Sequence, residues 1–210
     1  MGKLAAMVDV SALSPKELLA LHASVGEELR GRGITRSANN PTGDLAEYLF
    51  CKAFGWTQAT IANPNIEAID AQGVRYQIKA RRQTLHNKSR QLSGIRNLQG
   101  SHFDFLAGAV FAQTYEVLRA AIIPFSVVEG RATFIQHTNS HRFILHDDVW
   151  NADGVRDVTD ACVRLNTRKD RHARDDLLFL AARHATSDGA KLPSFSPRKC
   201  VPRDRKGQRG

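Results

Sequence analysis

Apolar residues recur at helical spacing twice near the start of the chain. Leu18, Leu21, Val25 and Leu29 mark one face of a helix that begins at Ser14-Pro15 and runs through KELLALHASVGEELR. Ser14 suits the N-cap, Pro15 the first helical position, and Glu17 three residues later completes a capping box. Gly31 to Gly33 ends the run, and the polar loop RSANNPTG follows. A second helix opens at Thr42 or Gly43, continues through Asp44, Leu45, Ala46, Glu47, Tyr48 and Leu49 to Phe54, and stops at Gly55.

The period then changes. Ile66 to Ala71 and Val74 to Ala80 flank Gln72-Gly73, a tight-turn dipeptide, and together predict a β-hairpin. Residues 81–100 are polar and basic, with a short helix expected around Ser89 to Asn97. Phe103 to Ala112 and Tyr115 to Pro124 are strongly apolar strand candidates. Smaller elements follow: a helix start at Ser126 to Glu129, strands over Ala132 to His137 and Arg142 to Leu145, and a turn at Asp147 to Trp150. Weakly patterned sequence leads to a terminal helix over Asn166 to Arg183. There is no internal repeat. Helix, helix, hairpin, basic connection and two strands make an α/β or α+β mixed sheet flanked by helices, not a bundle or a sandwich.

Length and composition narrow the class. With 210 residues, 42% hydrophobic and 24% charged, the chain suits one globular domain plus tails. The division expected is a single domain over 1–185, its core about 42–150, and a basic, disordered tail over 186–210. The longest apolar run, Phe103 to Ala112, carries Asp104 and falls short of the roughly 18 residues of a membrane span. The first ten residues lack the apolar region of a secretory signal. Three well-separated cysteines, Cys51, Cys162 and Cys200, suit a reducing cytoplasm and argue against a disulfide framework or a cysteine-rich zinc site.

Charge points to a partner. The formal net charge is +9, and Lys191 to Gly210, with seven Lys or Arg against one Asp, supplies +6 of it. A second concentration lies inside the domain: no acid stands between Asp70 and Asp104, whereas Arg75, Lys79, Arg81, Arg82, Lys88, Arg90 and Arg96 contribute +7. Surfaces normally mix their signs, so an acid-free run this long suits a phosphate backbone. The expected phosphate contacts are Arg81, Arg82, Lys88 and Arg90, with Asn87, Ser89 and Gln91 in reach of base edges. The chain has no Gly-rich phosphate loop. The His137-Thr138-Asn139-Ser140-His141 run lacks a second metal-binding element, and Phe54 and Trp56 read as core.

The chemistry concentrates in NIEAIDAQGVRYQIKARR. On a strand, Gln77 and Lys79 project to one side while Ile78 turns to the other. Polar groups inside a buried hairpin are costly unless they have a task. Glu67 and Asp70 lie across the turn, and Glu47 sits one turn into the preceding helix near Asp44. With the turn at Gln72-Gly73, Gln77 falls opposite Glu67 or Ala68, and Asp70 opposite Val74 or Arg75. Glu67 is in better register and Asp70 is the better residue type. Carboxylates and an amide oxygen are the hard ligands Mg²⁺ selects, and a lysine beside them can hold an attacking water. The reaction class this pattern implies is metal-assisted phosphodiester hydrolysis.

These residues resemble the PD-(D/E)XK nuclease superfamily, the restriction-endonuclease-like fold, over about Thr42 to Glu129. The resemblance rests on Glu47 in a helix, an acid on the first hairpin strand, and Gln77-Ile78-Lys79 on the second. Gln77 stands where the family more often has Asp or Glu, which removes one negative charge from the metal site. The resemblance implies an αβββαβ core and a DNA endonuclease of restriction or defence type, dependent on Mg²⁺ with Mn²⁺ able to substitute. It implies metal ligation by Glu47, by Glu67 or Asp70, and by Gln77, with Lys79 beside the attacking water. The partner implied is double-stranded DNA, which a homodimer would suit. A second reading is a catalytically inactive nucleic-acid-binding module of the same fold. A third is an interaction protein whose basic tail docks an acidic partner.

Overall fold

In the computed structural model, which describes residues 9–59 and 66–167, the two early helices start and stop at their sequence signals. Helix α1, Pro15–Gly31, is capped by Ser14: the Glu17 N–H donates to Ser14 Oγ at 3.4 Å, and Glu17 Oε2 accepts the Ser14 N–H at 2.8 Å. None of its residues is buried, and Leu19 is 70% exposed, so α1 is a peripheral arm. Helix α2, Thr42–Phe54, ends at Gly55 with φ +67°, a left-handed position that suits glycine. It buries Ala46, Leu49 and Phe50.

Eight strands follow: β1 Thr57–Gln58, β2 Ala68–Ile69, β3 Arg75–Arg82, β4 Phe105–Phe111, β5 Val117–Pro124, β6 Thr133–Ile135, β7 Ser140–Arg142 and β8 Arg156–Asp157. Six of them form one mixed sheet in the order β1-β2-β3-β4-β5-β8, and β6 pairs with β7. Within the large sheet β3 and β4 run parallel, and the other neighbours are antiparallel. Helices α3, Phe125–Arg131, and α4, Thr159–Thr167, complete the described elements. No helix among the described residues is long and apolar enough to cross a membrane.

Strand alternation sorts the sheet into two covered faces. Tyr76 and Ile78 of β3, with Ala107, Ala109 and Phe111 of β4, pack against α2 and Cys162 of α4. Leu106 and Val110 of β4 and Ala121 and Ile123 of β5 face the other way, onto Leu92, Ile95, Phe143 and Leu145. Burial on both sides explains why β4 and β5 read as continuous apolar runs. Trp56 stacks on Tyr76 with ring centroids 3.7 Å apart, fixing the end of α2 to β3. At the start of the parallel pair, Arg75 grips Asp104 by a fork: Nη2 to Oδ1 at 2.8 Å and Nε to Oδ2 at 3.1 Å. One cation of the acid-free run is thereby paired at the run's boundary.

The helix expected over Ser89 to Asn97 does not form. Leu92, Ile95 and Leu98 have the spacing of a helical face and all are buried. Their segment instead pairs with β7 and the residues just after it: the Leu92 N–H donates to Phe143 O and the Ile95 N–H to His141 O, each at 3.0 Å. Gly94 sits mid-segment, where a Cβ would lie 2.7 Å from Ser140 Oγ. Close approach of that second strand, supplying bonds a helix would make internally, is what wins. The strand expected over Arg142 to Leu145 is displaced to Ser140–Arg142, and the β8–α4 unit arises from sequence that showed no clear period. Of the expected terminal helix, Asn166 and Thr167 close α4; its remainder, and the basic tail, lie outside the described residues.

Truncating Phe50, which is fully buried, to alanine should cost about 3–5 kcal/mol, read as a lower urea midpoint. Ser14→Ala should cost about 1 kcal/mol of α1 stability, read as faster amide exchange in α1 with the global midpoint unchanged.

Candidate active site

The hairpin turn sets the register. Ala68 lies opposite Tyr76 and Ile69 opposite Arg75, which brings Glu67 to the edge of β3 beside Gln77-Ile78-Lys79. Glu67 uses both oxygens there: Oε1 accepts the Lys79 ammonium at 2.5 Å, and Oε2 accepts the Ile78 N–H at 3.0 Å. Both side chains of the ion pair are 16% exposed. Gln77 is 2% exposed, faces the same side as Lys79, and its Oε1 has no hydrogen-bond partner. A buried orphan acceptor costs about 1–3 kcal/mol, and Gln77 Oε1 is the polar atom of this stretch left without a protein partner.

Glu47 approaches from α2. Asp44, one turn earlier, accepts the backbone N–H of Arg36 at 2.9 Å and of Ser37 at 3.1 Å, folding the preceding loop back onto the helix. That fold aims the Arg36 guanidinium at Glu47 Oε2, which also accepts from Gln58 Nε2 at 3.2 Å. Burial pushes the Glu47 carboxyl up. Glu67 and Asp44 push it further, and Arg36 and Lys79 pull it down. Glu47 thus feels both members of the Glu67–Lys79 pair.

Asp70 is engaged elsewhere. Its Oδ1 accepts the Gln72 and Val74 N–H groups, each at 2.9 Å, and its Oδ2 accepts the Tyr76 hydroxyl at 3.0 Å. Burial pushes its carboxyl up, but the bonds from Val74, Tyr76 and Gln72 together leave it below the ordinary range. Tyr76 belongs to the α2 face, opposite Gln77 and Lys79, so the structure brings together Glu67, Gln77 and Lys79 and holds Asp70 at the turn. Cys51, next to Glu47 on α2, has its thiol pushed up to about 11, chiefly by burial. Its thiol therefore stays protonated at neutral pH.

The oxygen donors here are of the type a hard cation takes. Two carboxylates, of Glu47 and Glu67, and the free Gln77 amide oxygen are the oxygen ligands available. Among the described residues no group of three or more His, Cys, Asp or Glu converges. Mg²⁺ keeps several waters beside one or two carboxylates, so a sparse set of this kind is one it accepts. Arg36 and Lys79 balance the two carboxylates, and an ion entering here would compete with them.

The basic residues divide by what they touch. Arg81 follows Lys79 on the same face of β3, and its Nε is buried without a partner. The Arg82 guanidinium lies over the Tyr115 ring, 4.6 Å from its centroid. Arg90 is paired with Asp147 at 2.6 Å, and Lys88 is exposed. Sequence reasoning missed Arg36 and Gln58, which reach Glu47 only through tertiary structure. It also missed Arg119, which stacks on Trp150 at 3.9 Å and joins Arg81 in one row across the sheet through Val110. A lone arginine in the apolar run VLRAAIIP was the available signal for it. No protein-family model matches the chain, and no curated protein matches it.

Two predictions follow from this geometry. Asp70→Ala should lower the urea midpoint by loosening the turn while leaving any metal-dependent activity in place, whereas Glu67→Ala should remove that activity. Glu47 supplies the second. Its carboxyl lies above the ordinary 4.5 in the folded chain, so the folded state holds that proton more tightly than the unfolded one. The associated stability is full below about pH 4.5 and is lost as pH rises through the elevated value. Glu47→Gln should therefore melt at or above the wild-type temperature at pH 7, and the two should converge below about pH 4.5. A lower melting temperature at pH 7 would mean that the Arg36 pair outweighs burial.

Proposed function

We propose that this chain is a Mg²⁺-dependent endonuclease that hydrolyses phosphodiester bonds in double-stranded DNA, of the PD-(D/E)XK type. The observation that carries the reading is the buried, unpartnered Gln77 Oε1 beside the Glu67–Lys79 pair, with Glu47 coupled to both. The order of elements supports it: a helix, three antiparallel strands and a fourth strand parallel to the third. In place of a crossover helix the chain has an irregular segment with a single 3-10 turn at Leu98–Gly100.

In this reading Glu47, Glu67 and Gln77 hold the metal. The chemistry a Mg²⁺ ion would supply in that place is polarisation of a phosphoryl oxygen and a water of lowered pKa. Lys79, held on Glu67 in this structure, would orient the attacking water and place positive charge beside the scissile phosphate. Arg81 extends the same face toward the neighbouring phosphates, and Lys88 adds an exposed cation. Cleavage of both strands by a restriction or defence enzyme would engage two copies of the chain.

A second reading has its own observation. Glu67 is already satisfied by Lys79 and Ile78, and the four charged groups of the site cancel, which is a stable arrangement for a binding module without metal.

The two readings separate in a supercoiled-plasmid assay with Mg²⁺, Mn²⁺ or EDTA, comparing wild type with Lys79→Ala. The nuclease reading expects metal-dependent nicking or cutting that the variant loses, with DNA affinity changed less than threefold. Binding without cutting under any metal would establish the module instead. Independently of turnover, Mg²⁺ at ten times its Kd should stabilise the wild type by about 1.4 kcal/mol and leave Glu47→Gln unchanged.

A further inference from the structure

On the sheet face that carries Gln77 and Lys79, the irregular crossover meets the β6–β7 hairpin and encloses a pocket of about 620 Å³ lined by Arg96, Asn97, Gln99, Phe134, Asn139 and His141, among others. Its construction is specific. Phe134 of β6 pairs across the hairpin with His141 of β7, their ring centroids 5.2 Å apart. Ile95 and His141 exchange both backbone bonds, at 3.0 and 2.7 Å, and this clamps Arg96 and the residues after it to the hairpin. Asn97 and Asn139 occupy left-handed backbone conformations, φ 49° and 45°. Asparagine tolerates that region better than most residues. The Asn97 amide is tied to His102 Nε2 at 2.7 Å, so this rim is fixed before any ligand arrives.

What remains unsatisfied describes a ligand. Phe134 is a large aromatic side chain left 53% exposed. Arg96 forms no ion pair, and the side chains of Gln99 and Asn139 form no hydrogen bond, among the described residues. No acid is among the residues that line the pocket. An aromatic plane, two free amides and one cation suit a flat heterocycle with polar edges that carries negative charge. The volume lies in the range of small-molecule sites.

We propose that this pocket takes one unstacked nucleobase, its ring against Phe134, its polar edge on the amides of Gln99 and Asn139, and its phosphate on Arg96. The proposal deepens the nucleic-acid reading and rests on it for the source of the base. It makes the crossover a sensor of unpaired or displaced nucleotides, next along the chain to the strand that carries the candidate active site.

The test uses the full chain, Phe134→Ala and Arg96→Ala. Phe134 is half exposed, so its truncation should leave the melting temperature unchanged. The probes are deoxynucleoside monophosphates, a perfect duplex, and the same duplex with one bulged 2-aminopurine. The bulged duplex should bind about tenfold more tightly than the perfect one, since stacking of a base on an aromatic side chain is worth that much. The 2-aminopurine fluorescence should fall on binding, and Phe134→Ala should abolish both effects. Monophosphate binding that Phe134→Ala removes, without a preference for the bulge, also supports the pocket and assigns it to free nucleotides. Equal binding of both duplexes together with no monophosphate binding overturns the pocket, and metal-dependent cleavage in the same protein would then leave the nuclease reading standing. A monophosphate bound through Phe134 in a protein that cuts nothing would do the reverse.

Discussion

The two-point grip of Glu67 on β3 is the interaction on which the candidate site depends. Strand β2 is only two residues long, so beside Ile78 the edge of β3 lacks a strand partner among the described residues. Glu67 closes it with one carboxylate, accepting the Ile78 N–H on one oxygen and the Lys79 ammonium on the other. The backbone donor is satisfied, the lysine is held, and the amide of Gln77 is left as the free polar group on that stretch. Removing the carboxylate would leave a donor and a cation unpaired in a half-buried place, a more costly loss than that of an exposed ion pair. The same atoms thus close the edge of the fold and poise it for chemistry.

The crossover from β3 to β4 is the second determinant. Parallel strands need a long return connection, usually a helix. Here the return is irregular and is held by backbone bonds to β7 and the residues just after it, while the Arg75–Asp104 fork fixes where the parallel pair begins. An irregular connection can turn side chains in several directions at once. Leu92, Ile95 and Leu98 go into the core while the intervening polar residues stay outside. A helix over the same residues would have spent a whole face on the core.

Much of this was legible in the chain, where the signal was local. Ser14, Pro15 and Glu17 announce α1, Gly55 ends α2, and Gln72-Gly73 fixes the hairpin register that puts Glu67 beside Gln77. The alternation of Tyr76, Gln77, Ile78 and Lys79 gives the two faces of β3 directly. What stayed hidden depends on partners distant in sequence. Nothing near Arg36 indicates that Asp44 will fold its loop toward Glu47. The threefold spacing of Leu92, Ile95 and Leu98 reads as a helix because the competing strand lies some fifty residues on. Asp70 looked like a ligand by residue type, and only the turn geometry shows its oxygens filled by Gln72, Val74 and Tyr76.

Gly108 sits beside Lys79 in the parallel register, on the same face. It has no side chain, and a Cβ there would lie 3.1 Å from Leu145 Cδ1 and 3.3 Å from Leu92 Cδ1. The missing methyl lets two leucines descend onto the strand next to the lysine, so hydrocarbon rather than water covers the sheet on that flank of Lys79. Charges beside a low-dielectric wall act on one another more strongly than in water. An absent side chain thereby sets the electrostatic reach of a present one, and the smallest residue of β4 acts as an insulator for the most polar stretch of β3.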